Sequence, residues 1–270
     1  MREITVVGSF NMDLVVYGAP LPSPGETVVG GVFEASPGGK GANQAVAAAA
    51  MSGRVRFVGC VGDDEYGRLA SRVLTERGVD IRGLTIVDLP TGVSLVAVDA
   101  EGRNQITVAL GANERVRIEG EHDLLLTQLE TPYSRPRART VVLNPAPARE
   151  VSLEGVDVVI PNQVEAAQLT GEREPARQKA ALEARGAGLA IITLGQDGVF
   201  DGEFQPAFQV EAVDTVGAGD TFVGAFVVAL AEGQQDPIRF AQAAAALQVQ
   251  RRGAMAVPTR AEVDHFLEVR

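Results

Sequence analysis

The sequence DTVGAGDTFVGAFVVALA, residues 214–231, places two glycines between acidic residues and directly before an apolar run typical of a helix. Glycines at positions 217 and 219 allow the backbone to turn so that successive N–H groups converge at the helix N-terminus, an arrangement that favours an anion. Asp220 stands at that point, where its carboxylate either caps the helix or acts as a general base opposite a bound phosphate. For this stretch taken alone, capping is the simpler interpretation.

Upstream of this stretch, short runs rich in valine and isoleucine recur: ITVVGS, VRFVGCV, LLLTQL, TVVLNP, VDVVIPN and LAIITLG. Apolar runs without alternation are typical of strands buried on both faces of a parallel sheet. Helical patterns lie between and after them, at residues 43–51, 66–77, 165–169, 175–185, 220–231, 237–250 and 260–269. The β-α alternation predicts an α/β fold, a three-layer α/β/α sandwich with a mostly parallel central sheet, in one domain spanning residues 1–270.

Residues 14–34 and 91–109 differ from the rest, because apolar and polar side chains alternate there around turn signals. This pattern is typical of antiparallel strands with one face in solvent. Inserted between α/β elements, the two segments together predict a small β-sheet lid, although ordinary surface hairpins explain the alternation equally well.

The links on either side of LLLTQLE, residues 124–130, are short. A parallel crossover normally needs about a dozen residues or more and contains a helix. The link TPYSRPRAR, residues 131–139, has nine residues and two prolines, which prevent a regular helix, and the preceding link GANERVRIEGEH is similarly short. We expect irregular loops here and a thinly covered sheet face.

Composition excludes several classes of protein. The net charge of −11 argues against nucleic-acid binding, which relies on basic patches. The longest apolar runs fall well short of the roughly 20 residues that span a bilayer, so no membrane partner is expected. A single cysteine, Cys60, and a start that enters a strand without a charged leader favour the cytoplasm. His122 and His265 are too far apart in sequence and too polar in setting to suggest a histidine metal site.

Two further motifs carry polar side chains near predicted strand ends. GSFNMD, residues 8–13, contains Asn11 and Asp13, which either face the hydroxyls of a sugar or form a turn. PGGKGANQ, residues 37–44, is not a nucleotide P-loop, because Gly41 follows Lys40 where magnesium binding needs serine or threonine. Its glycines let the backbone close on a small polar ligand, or simply lead into an alanine-rich helix.

The remaining motifs suit the phosphate end of a nucleotide. In PNQVEA, residues 161–166, Asn162 and Glu165 are spaced to share a helix face. They either organise hydrated Mg²⁺ and phosphate oxygens or form a helix capping box, which has the same spacing. TLGQDG, residues 193–198, offers another glycine loop after a strand.

Together and in this order, these motifs resemble those of the ribokinase family of carbohydrate kinases. The elements GSxNxD, GGKGANQA, LNPAPA, PNxxE, TLGxxG and DTxGAGDTF occur at compatible spacings over nearly the whole chain. The resemblance implies ATP-dependent phosphorylation of D-ribose at its 5-hydroxyl, with Mg²⁺ accompanying ATP, K⁺ as a monovalent activator, and a homodimer formed through the lid. A related kinase of another sugar or nucleoside is the alternative, and a non-catalytic sugar or nucleotide sensor is the hypothesis from another class.

The resemblance also implies roles for particular residues. Asp220 corresponds to the general base, and the anion hole corresponds to the backbone of Gly217, Ala218, Gly219 and Asp220. The sugar site corresponds to Asn11, Asp13, Gly39, Lys40, Gly41, Asn43, Glu130 and Asp220. The ATP site corresponds to Asn162, Glu165, Thr193, Gly195, Gly198, Gly219 and Gln242, with Glu165 also serving Mg²⁺ indirectly. The monovalent cation corresponds to a loop pair containing Asp214, Val216, Gln248, Arg251 and Gly253.

The chain departs from the family pattern in three places. The two short links lack helices that the family usually has. The segment RRGAMAVP is one residue shorter than usual and has Ala256 in place of a serine, which predicts weakened potassium dependence. Gln242 stands where relatives carry histidine or asparagine near the adenine.

Overall fold

Seven parallel strands form the central sheet of the computed structural model, which describes residues 2–270. In chain order, the strands of the whole chain are β1 (Ile4–Val7), β2 (Asn11–Tyr17), β3 (Val32–Gly38), β4 (Val55–Gly62), β5 (Asp80–Val87), β6 (Gly92–Val98), β7 (Asn104–Ala109), β8 (Glu121–Gln128), β9 (Arg137–Asn144), β10 (Val158–Val159), β11 (Leu189–Ala190), β12 (Ile192–Thr193), β13 (Gly198–Phe200) and β14 (Phe204–Pro206). The helices are α1 (Lys40–Ala50), α2 (Glu65–Glu76), α3 (Gln163–Thr170), α4 (Pro175–Ala184), α5 (Ala218–Glu232), α6 (Pro237–Gln248) and α7 (Arg260–Glu268). The helices lie where the sequence patterns predicted them.

The central sheet has the strand order β11-β10-β9-β8-β1-β4-β5, and every neighbouring pair is parallel. Strand β9 shows why its sequence is continuously apolar: Val142 packs into the core cluster shared with α1, α5 and α6, whereas Val141 and Leu143 pack into a second cluster with α3 and α4. Both faces of the sheet are therefore covered by helices, and the predicted three-layer sandwich is confirmed.

Cover is thinnest over β1, β4 and β8. A single 3-10 turn, Gly111–Arg115, lies in the link before β8, and the link from β8 to β9 contains no helix among the residues described. A small cluster of buried side chains packs under these links: Val7, Cys60, Ala112, Val116 and Leu125. The prediction of irregular links and a thinly covered face is confirmed.

A second, four-stranded sheet stands beside the sandwich, in the order β3-β2-β6-β7. Its outer pairs, β2 with β3 and β6 with β7, are antiparallel, and its central pair, β2 with β6, is parallel. Strand β2 begins at Asn11, so the GSFNMD motif continues into a strand rather than ending in a turn. A third small sheet, β12-β13-β14, follows the central sheet near its β11 edge.

Side-chain caps begin several helices. Asp64 accepts a hydrogen bond from Gly67 N at α2, Asp236 accepts one from Arg239 N at α6, and Thr259 forms a capping box at α7. Helices α1 and α5 differ, because their N-caps are glycines, with φ 91° and 79°, and no side chain caps either helix. In the first turn of α5, the Ala218 N–H donates to Thr215 O at 3.3 Å, and the next two N–H groups are left for another partner. Across residues 2–270, no helix has both the length and the apolar character needed to cross a membrane.

Candidate active site

The polar side chains singled out in the sequence lie at the carboxyl end of the central sheet, which is where parallel α/β sheets bind ligands. Glu130 follows β8, Asn144 ends β9, and Asn162 follows β10. The small sheet contributes β2, and helices α1 and α5 direct their N-terminal ends towards the same region, where Asn43 of α1 contacts Asp220 of α5.

The N-terminus of α5 is built around two glycines with different constraints. Gly217 has φ 79°, and a Cβ built there would lie 2.6 Å from the Cα of Ala254, so both conformation and space require glycine. A Cβ built at Gly219 would meet nothing within 4 Å. Among residues 2–270, the N–H groups of Gly219 and Asp220 have no hydrogen-bond partner. The turn therefore offers two free backbone donors beside open space, which suits an anion.

The Asp220 carboxylate is oriented by helix α1 and does not cap α5. Asn43 Nδ2 donates to Asp220 Oδ2 at 3.0 Å, and Gln44 Nε2 donates to Asp220 Oδ1 at 2.9 Å. These bonds need α1 and α5 to pack closely, and Gly224 permits it, since a Cβ there would lie 2.6 Å from the Cβ of Ala47. The carboxylate is thus placed at the mouth of the anion-binding turn, with both oxygens hydrogen-bonded.

Glu130 fastens the loop before α1. Its Oε2 accepts a hydrogen bond from the backbone N of Lys40 at 3.0 Å and another from the Ser9 hydroxyl. Gly39, at φ 91°, is pressed against the first residues of β2, because a Cβ there would lie 2.7 Å from Asn11 N. These contacts bring the GSFNMD and PGGKGANQ segments and the end of β8 into one pocket. Gly41 is buried in the same loop, and its N–H donates to Ser9 Oγ at 3.4 Å.

Asn11 and Asp13 are two positions apart on β2, so their side chains point to the same face of the sheet. Asn113 Nδ2 donates to Asn11 Oδ1 at 2.8 Å, while Asn113 Oδ1 accepts from Phe10 N at 3.1 Å. This fixes the amide of Asn11, whose own nitrogen has no partner among the residues described. Burial raises the pKa of Asp13 to about 6, against the opposing effect of the neighbouring Ser94 hydroxyl.

Lys40 is the positive centre of the pocket. Burial lowers the pKa of its ammonium group, but the carboxylates of Asp220, Glu130, Glu165 and Asp13 raise it, and the net pKa lies above the ordinary value. The side chain therefore stays charged at neutral pH. A local cation of this kind lets a chain with a net charge of −11 attract an anion into one cleft.

The capping box expected as the alternative at PNQVEA is present. Asn162 Oδ1 accepts from Glu165 N at 2.8 Å, and Glu165 Oε2 accepts from Asn162 N at 2.8 Å. Burial raises the pKa of Glu165, with Asn162 and Lys40 acting in the opposite direction. Glu165 Oε1 has no partner among residues 2–270, so one carboxylate oxygen can serve a ligand as well as the cap.

The TLGQDG loop lies next to this cap, since Thr193 pairs with Asn162 through an isolated bridge. Gly195 and Gly198 flank a 3-10 turn at φ 62° and 124°. Gln242 is only 5% exposed, and its Nε2 donates to Gln205 O at 3.0 Å. This donor is bonded to the backbone of β14, whereas the buried Gln242 Oε1 has no partner among residues 2–270.

The residues expected around a monovalent cation lie in two segments joined by Asp214. Asp214 Oδ1 accepts from Val216 N and Asp214 Oδ2 accepts from Gly253 N, both at 2.9 Å. The Gly253 carbonyl already accepts from Gln248 Nε2 at 2.9 Å and Ala256 N at 3.1 Å, which leaves it poorly suited to a cation. The guanidinium of Arg251 points away to Val257 O and Glu262.

Five hydrogen-bonding residues of the site were not assigned a role by the sequence motifs: Ser9, Gln44, Asn113, Gln128 and Asn144. Four of them lie inside or beside quoted motifs, in GSFNMD, PGGKGANQ, LLLTQLE and LNPAPA. A polar residue within an otherwise apolar strand end was the available signal. Which partner each would meet depends on strand order, which one sequence does not supply.

Comparison with known proteins agrees with this geometry. The chain matches the pfkB family of carbohydrate kinases over residues 1–131 and 133–260. The ribokinase of Bacillus subtilis is 41% identical over 297 residues, which cover 99% of this chain and 100% of that protein.

Two solved structures extend the similarity to the fold. Ribokinase from Thermotoga maritima is similar at a TM-score of 0.89 and 34% identity, covering 99% of this chain and 100% of that one. Ribokinase from Arabidopsis thaliana, whose structure is complexed with ribose and ATP, is similar at a TM-score of 0.86 and 29% identity, covering 99% of each chain. Both similarities run through the central sheet and the small sheet alike.

Proposed function

Because the chain belongs to the pfkB family of carbohydrate kinases, we propose that it transfers the γ-phosphoryl group of ATP to the 5-hydroxyl of D-ribose. The observation that carries this proposal is the position of Asp220. Its carboxylate stands beside the free N–H groups of Gly219 and Asp220 and faces the pocket formed by Lys40 and Asn43. A base beside an anion hole and a polar pocket is what phosphoryl transfer to a hydroxyl needs.

In the proposed reaction Asp220 accepts the proton of the sugar hydroxyl as the oxygen attacks the γ-phosphorus. The bond from that phosphorus to the β-γ bridging oxygen breaks, giving ribose 5-phosphate and ADP, and Asp220 then releases its proton to solvent. The N–H groups of Gly219 and Asp220, on the turn formed by Gly217 and Ala218, stabilise the charge on the transferring group. The Lys40 ammonium group adds a fixed positive charge nearby.

The sugar would be bound by groups of complementary polarity. Asn11 presents its amide nitrogen as a donor, while Asp13 and Glu130 present carboxylate acceptors. Gly39 brings its backbone against the start of β2 beside the sugar, and Gly41, in the first turn of α1, lets that helix pack against Gly8 and Ser9. Such a pocket selects a small polyol, because each unmatched hydroxyl would leave a buried polar group unpaired.

Mg²⁺ is the ion that accompanies ATP in such reactions, and Glu165 fits a water-mediated contact to it because Oε1 is unpaired among residues 2–270. When bound, the ion neutralises charge on the phosphate oxygens. Asn162, Thr193, Gly195 and Gly198 then form the nucleotide side of the cleft, together with Gln242, which is bonded to β14.

K⁺ is the proposed monovalent activator. Three oxygen donors fit it: the Asp214 carboxylate, the Val216 carbonyl, which accepts no hydrogen bond among residues 2–270, and the buried Gln248 Oε1, which has no partner. Ala256 offers no side-chain ligand and the Gly253 carbonyl is already bonded. We therefore expect activation by K⁺ to be weak, which titration of kcat against K⁺ at constant ionic strength would measure.

The small sheet is proposed as the contact of a homodimer. By strand register, Tyr17, Val32, Ile106 and Val108 lie on the face that carries Asp13, and each is exposed in the single chain. Covering them would remove apolar surface from water. Light scattering on Ile106→Asp should show a monomer where the parent shows a dimer, and a parent that is monomeric at micromolar concentration would contradict the proposal.

A cytoplasmic location is proposed because the substrate ATP is available there and the single thiol, Cys60, is buried and unpaired. Fractionation of cells that express the full chain would test it. Recovery in a membrane or secreted fraction would contradict it.

The activity is tested with a panel of D-ribose, 2-deoxy-D-ribose, hexoses and nucleosides, each assayed for ADP formation with Mg²⁺ and K⁺ present. D-ribose should give the highest kcat/KM, and phosphorus NMR should locate the product phosphate at C5. Higher kcat/KM for another sugar or nucleoside would overturn the substrate assignment. ADP formation no faster than in Asp220→Asn, with every acceptor, would overturn the kinase assignment and favour a sensor.

A further inference from the structure

Behind Asp220 lies a row of buried amide side chains that do not face the sugar pocket. Gln44 is fully buried, and its Nε2 donates to Asp220 Oδ1 and to Asn144 Oδ1, both at 2.9 Å. Its Oε1 accepts from Gln128 Nε2 at 2.6 Å. Gln128 and Asn144 end strands β8 and β9, so the row joins the central sheet to the base through helix α1.

The polarity of this row is fixed at its far end. The carbonyl of Ile160 can only accept, and Asn144 Nδ2 donates to it at 2.8 Å. Asn144 therefore directs its Oδ1 at Gln44, and Gln44 must donate a hydrogen bond to it from its NH₂ group. Gln128, by donating to Gln44 Oε1, enforces the same orientation. Gln44 thus presents a donor, and never an acceptor, to the Asp220 carboxylate.

The sequence makes room for this row at Gly8, the residue directly after β1. A Cβ built at Gly8 would lie 2.2 Å from Gln128 Oε1 and 2.7 Å from the Cα of Gly41. Only glycine at this position lets the Gln128 side chain reach Gln44. The packing of α1 on α5 does not depend on the amides alone, because Gly224 already brings the two helices together against Ala47 and Ala48.

We propose that Gln44 is a positioning residue for the general base, which holds the Asp220 carboxylate in the orientation that faces the sugar hydroxyl, with Asn144 and Gln128 fixing the polarity of the Gln44 amide. This inference rests on the proposed function. A hydrogen bond donated to a carboxylate favours its charged form over its protonated form. Asn43, the other donor, faces the sugar pocket and is shared with the ligand, whereas Gln44 serves Asp220 whether or not sugar is bound.

The test replaces Gln44 with leucine, which has similar volume and no donor. We expect kcat to fall about 10- to 100-fold, the loss of one hydrogen bond to a charged group. KM for the sugar should change much less, because Gln44 does not line the sugar pocket. The acidic limb of the kcat profile should move to higher pH, since the variant loses a donor to the Asp220 carboxylate while the neighbouring charges of Lys40, Asp13 and Glu165 are unchanged.

The matched control is Gln178→Leu. Gln178 is also fully buried, and its Nε2 also makes two hydrogen bonds, to Gln163 O and Glu172 O, but it lies on α4. It should lose thermal stability with no shift of the pH profile. Equal effects of the two substitutions on kcat and on the profile would reduce Gln44 to a structural residue and overturn the proposal.

Two further measurements test the proposal if Gln44→Leu does not fold or if the kinase assignment is wrong. Gln128→Leu should displace the acidic limb in the same direction by less, and an unmoved limb would count against the row. In the sugar-free protein, the carboxyl ¹³C signal of Asp220 should titrate at higher pH in Gln44→Leu, or in Gln128→Leu if only that variant folds, than in the parent. That readout needs no turnover, and coincident titrations would overturn the positioning proposal while leaving the reaction itself intact.

Discussion

The proposed sugar side of the cleft, around Asn11, Asp13 and Lys40, and the proposed nucleotide side, around Asn162, Thr193 and Gly219, are built differently. On the sugar side Asn11 is 1% exposed and Asn43 is 6% exposed, and each is hydrogen-bonded to a residue of another element, Asn11 to Asn113 and Asn43 to Asp220. On the nucleotide side Phe204, which lines a pocket with Leu194 and Asp197 of the TLGQDG loop, is 58% exposed, and a Cβ at Gly219 would meet nothing within 4 Å. The buried amides of the sugar side are therefore held in place before a ligand binds. The nucleotide side instead offers free backbone donors and exposed apolar side chains.

The difference indicates where specificity resides. Buried amides and carboxylates of fixed polarity reject a ligand whose hydroxyls do not match, at a cost of about 1–3 kcal/mol for each unpaired group. Backbone N–H groups at a helix terminus accept any phosphate that reaches them. We therefore expect substitutions on the sugar side to change which acceptor is used, and substitutions on the nucleotide side to change how fast phosphate is transferred.

Asp220→Asn should have the largest effect, because Asp220 is the point at which the two sides meet. Loss of the base should lower kcat by about 10² to 10⁴. Sugar binding, measured by calorimetry without ATP, should change little, since the side-chain shape is kept. A kcat within tenfold of the parent would mean that another group takes the proton. Asp220 would then not be the residue at which the sugar side and the nucleotide side meet.

Gly219→Ala tests the nucleotide side. The new methyl group meets no protein atom within 4 Å, so the fold should tolerate it, and alanine favours a helix. If phosphate oxygens approach these N–H groups, the methyl group should obstruct them and lower kcat about 10- to 100-fold.

The control lies at the other end of the same helix. Gly233→Ala places alanine at φ 71°, which should destabilise the fold by about 1 kcal/mol and leave kcat unchanged. Thermal unfolding and steady-state kinetics on both variants separate the two effects. If Gly219→Ala were fully active, the anion hole would have to lie elsewhere.

The sequence predicted the site residues that belong to local motifs, and it did not predict those whose partners are distant in the chain. Asp220, Asn43 and Lys40 were identified because local motifs place them beside glycines and strand ends. Asn113 and Asn144 were missed because their partners are distant in sequence: Asn113 bonds Phe10 and Asn11, 103 and 102 positions away, and Asn144 bonds Gln44, 100 positions away. Such pairs depend on strand order, and the order β9-β8-β1 is not encoded in any local pattern.

The wholly parallel central sheet was predictable because continuous apolar runs of the type seen in β1 and β8 are buried on both faces. The parallel pairing of β2 with β6 was not, because alternation in both segments indicates only one exposed face.

Asn113→Ala sharpens the comparison on the sugar side. The substitution removes the bonds that fix Asn11 and the backbone of Phe10, so the donor that Asn11 offers to the sugar becomes mobile. KM for the sugar should rise about tenfold, the loss of one well-made hydrogen bond, while KM for ATP stays within twofold. Equal increases in both KM values, without a fall in thermal stability, would show that the two sides are not independent.

The smallest expected effect is a pH dependence of sugar binding through Asp13. Because burial raises the pKa of Asp13 to about 6, its carboxylate is mostly ionised at neutral pH and gains a proton as the pH falls through that value. The ionised form accepts hydrogen bonds from sugar hydroxyls more strongly, so KM for the sugar should about double from roughly pH 7 to pH 6 and rise further below.

Asp13→Asn, which cannot titrate, should bind the sugar more weakly at neutral pH and lose this dependence. KM for ATP should stay level over the same interval in both proteins, because no nucleotide contact involves Asp13. A sugar KM that rises equally in Asp13→Asn would assign the dependence to another group and leave the sugar side insensitive to this carboxylate.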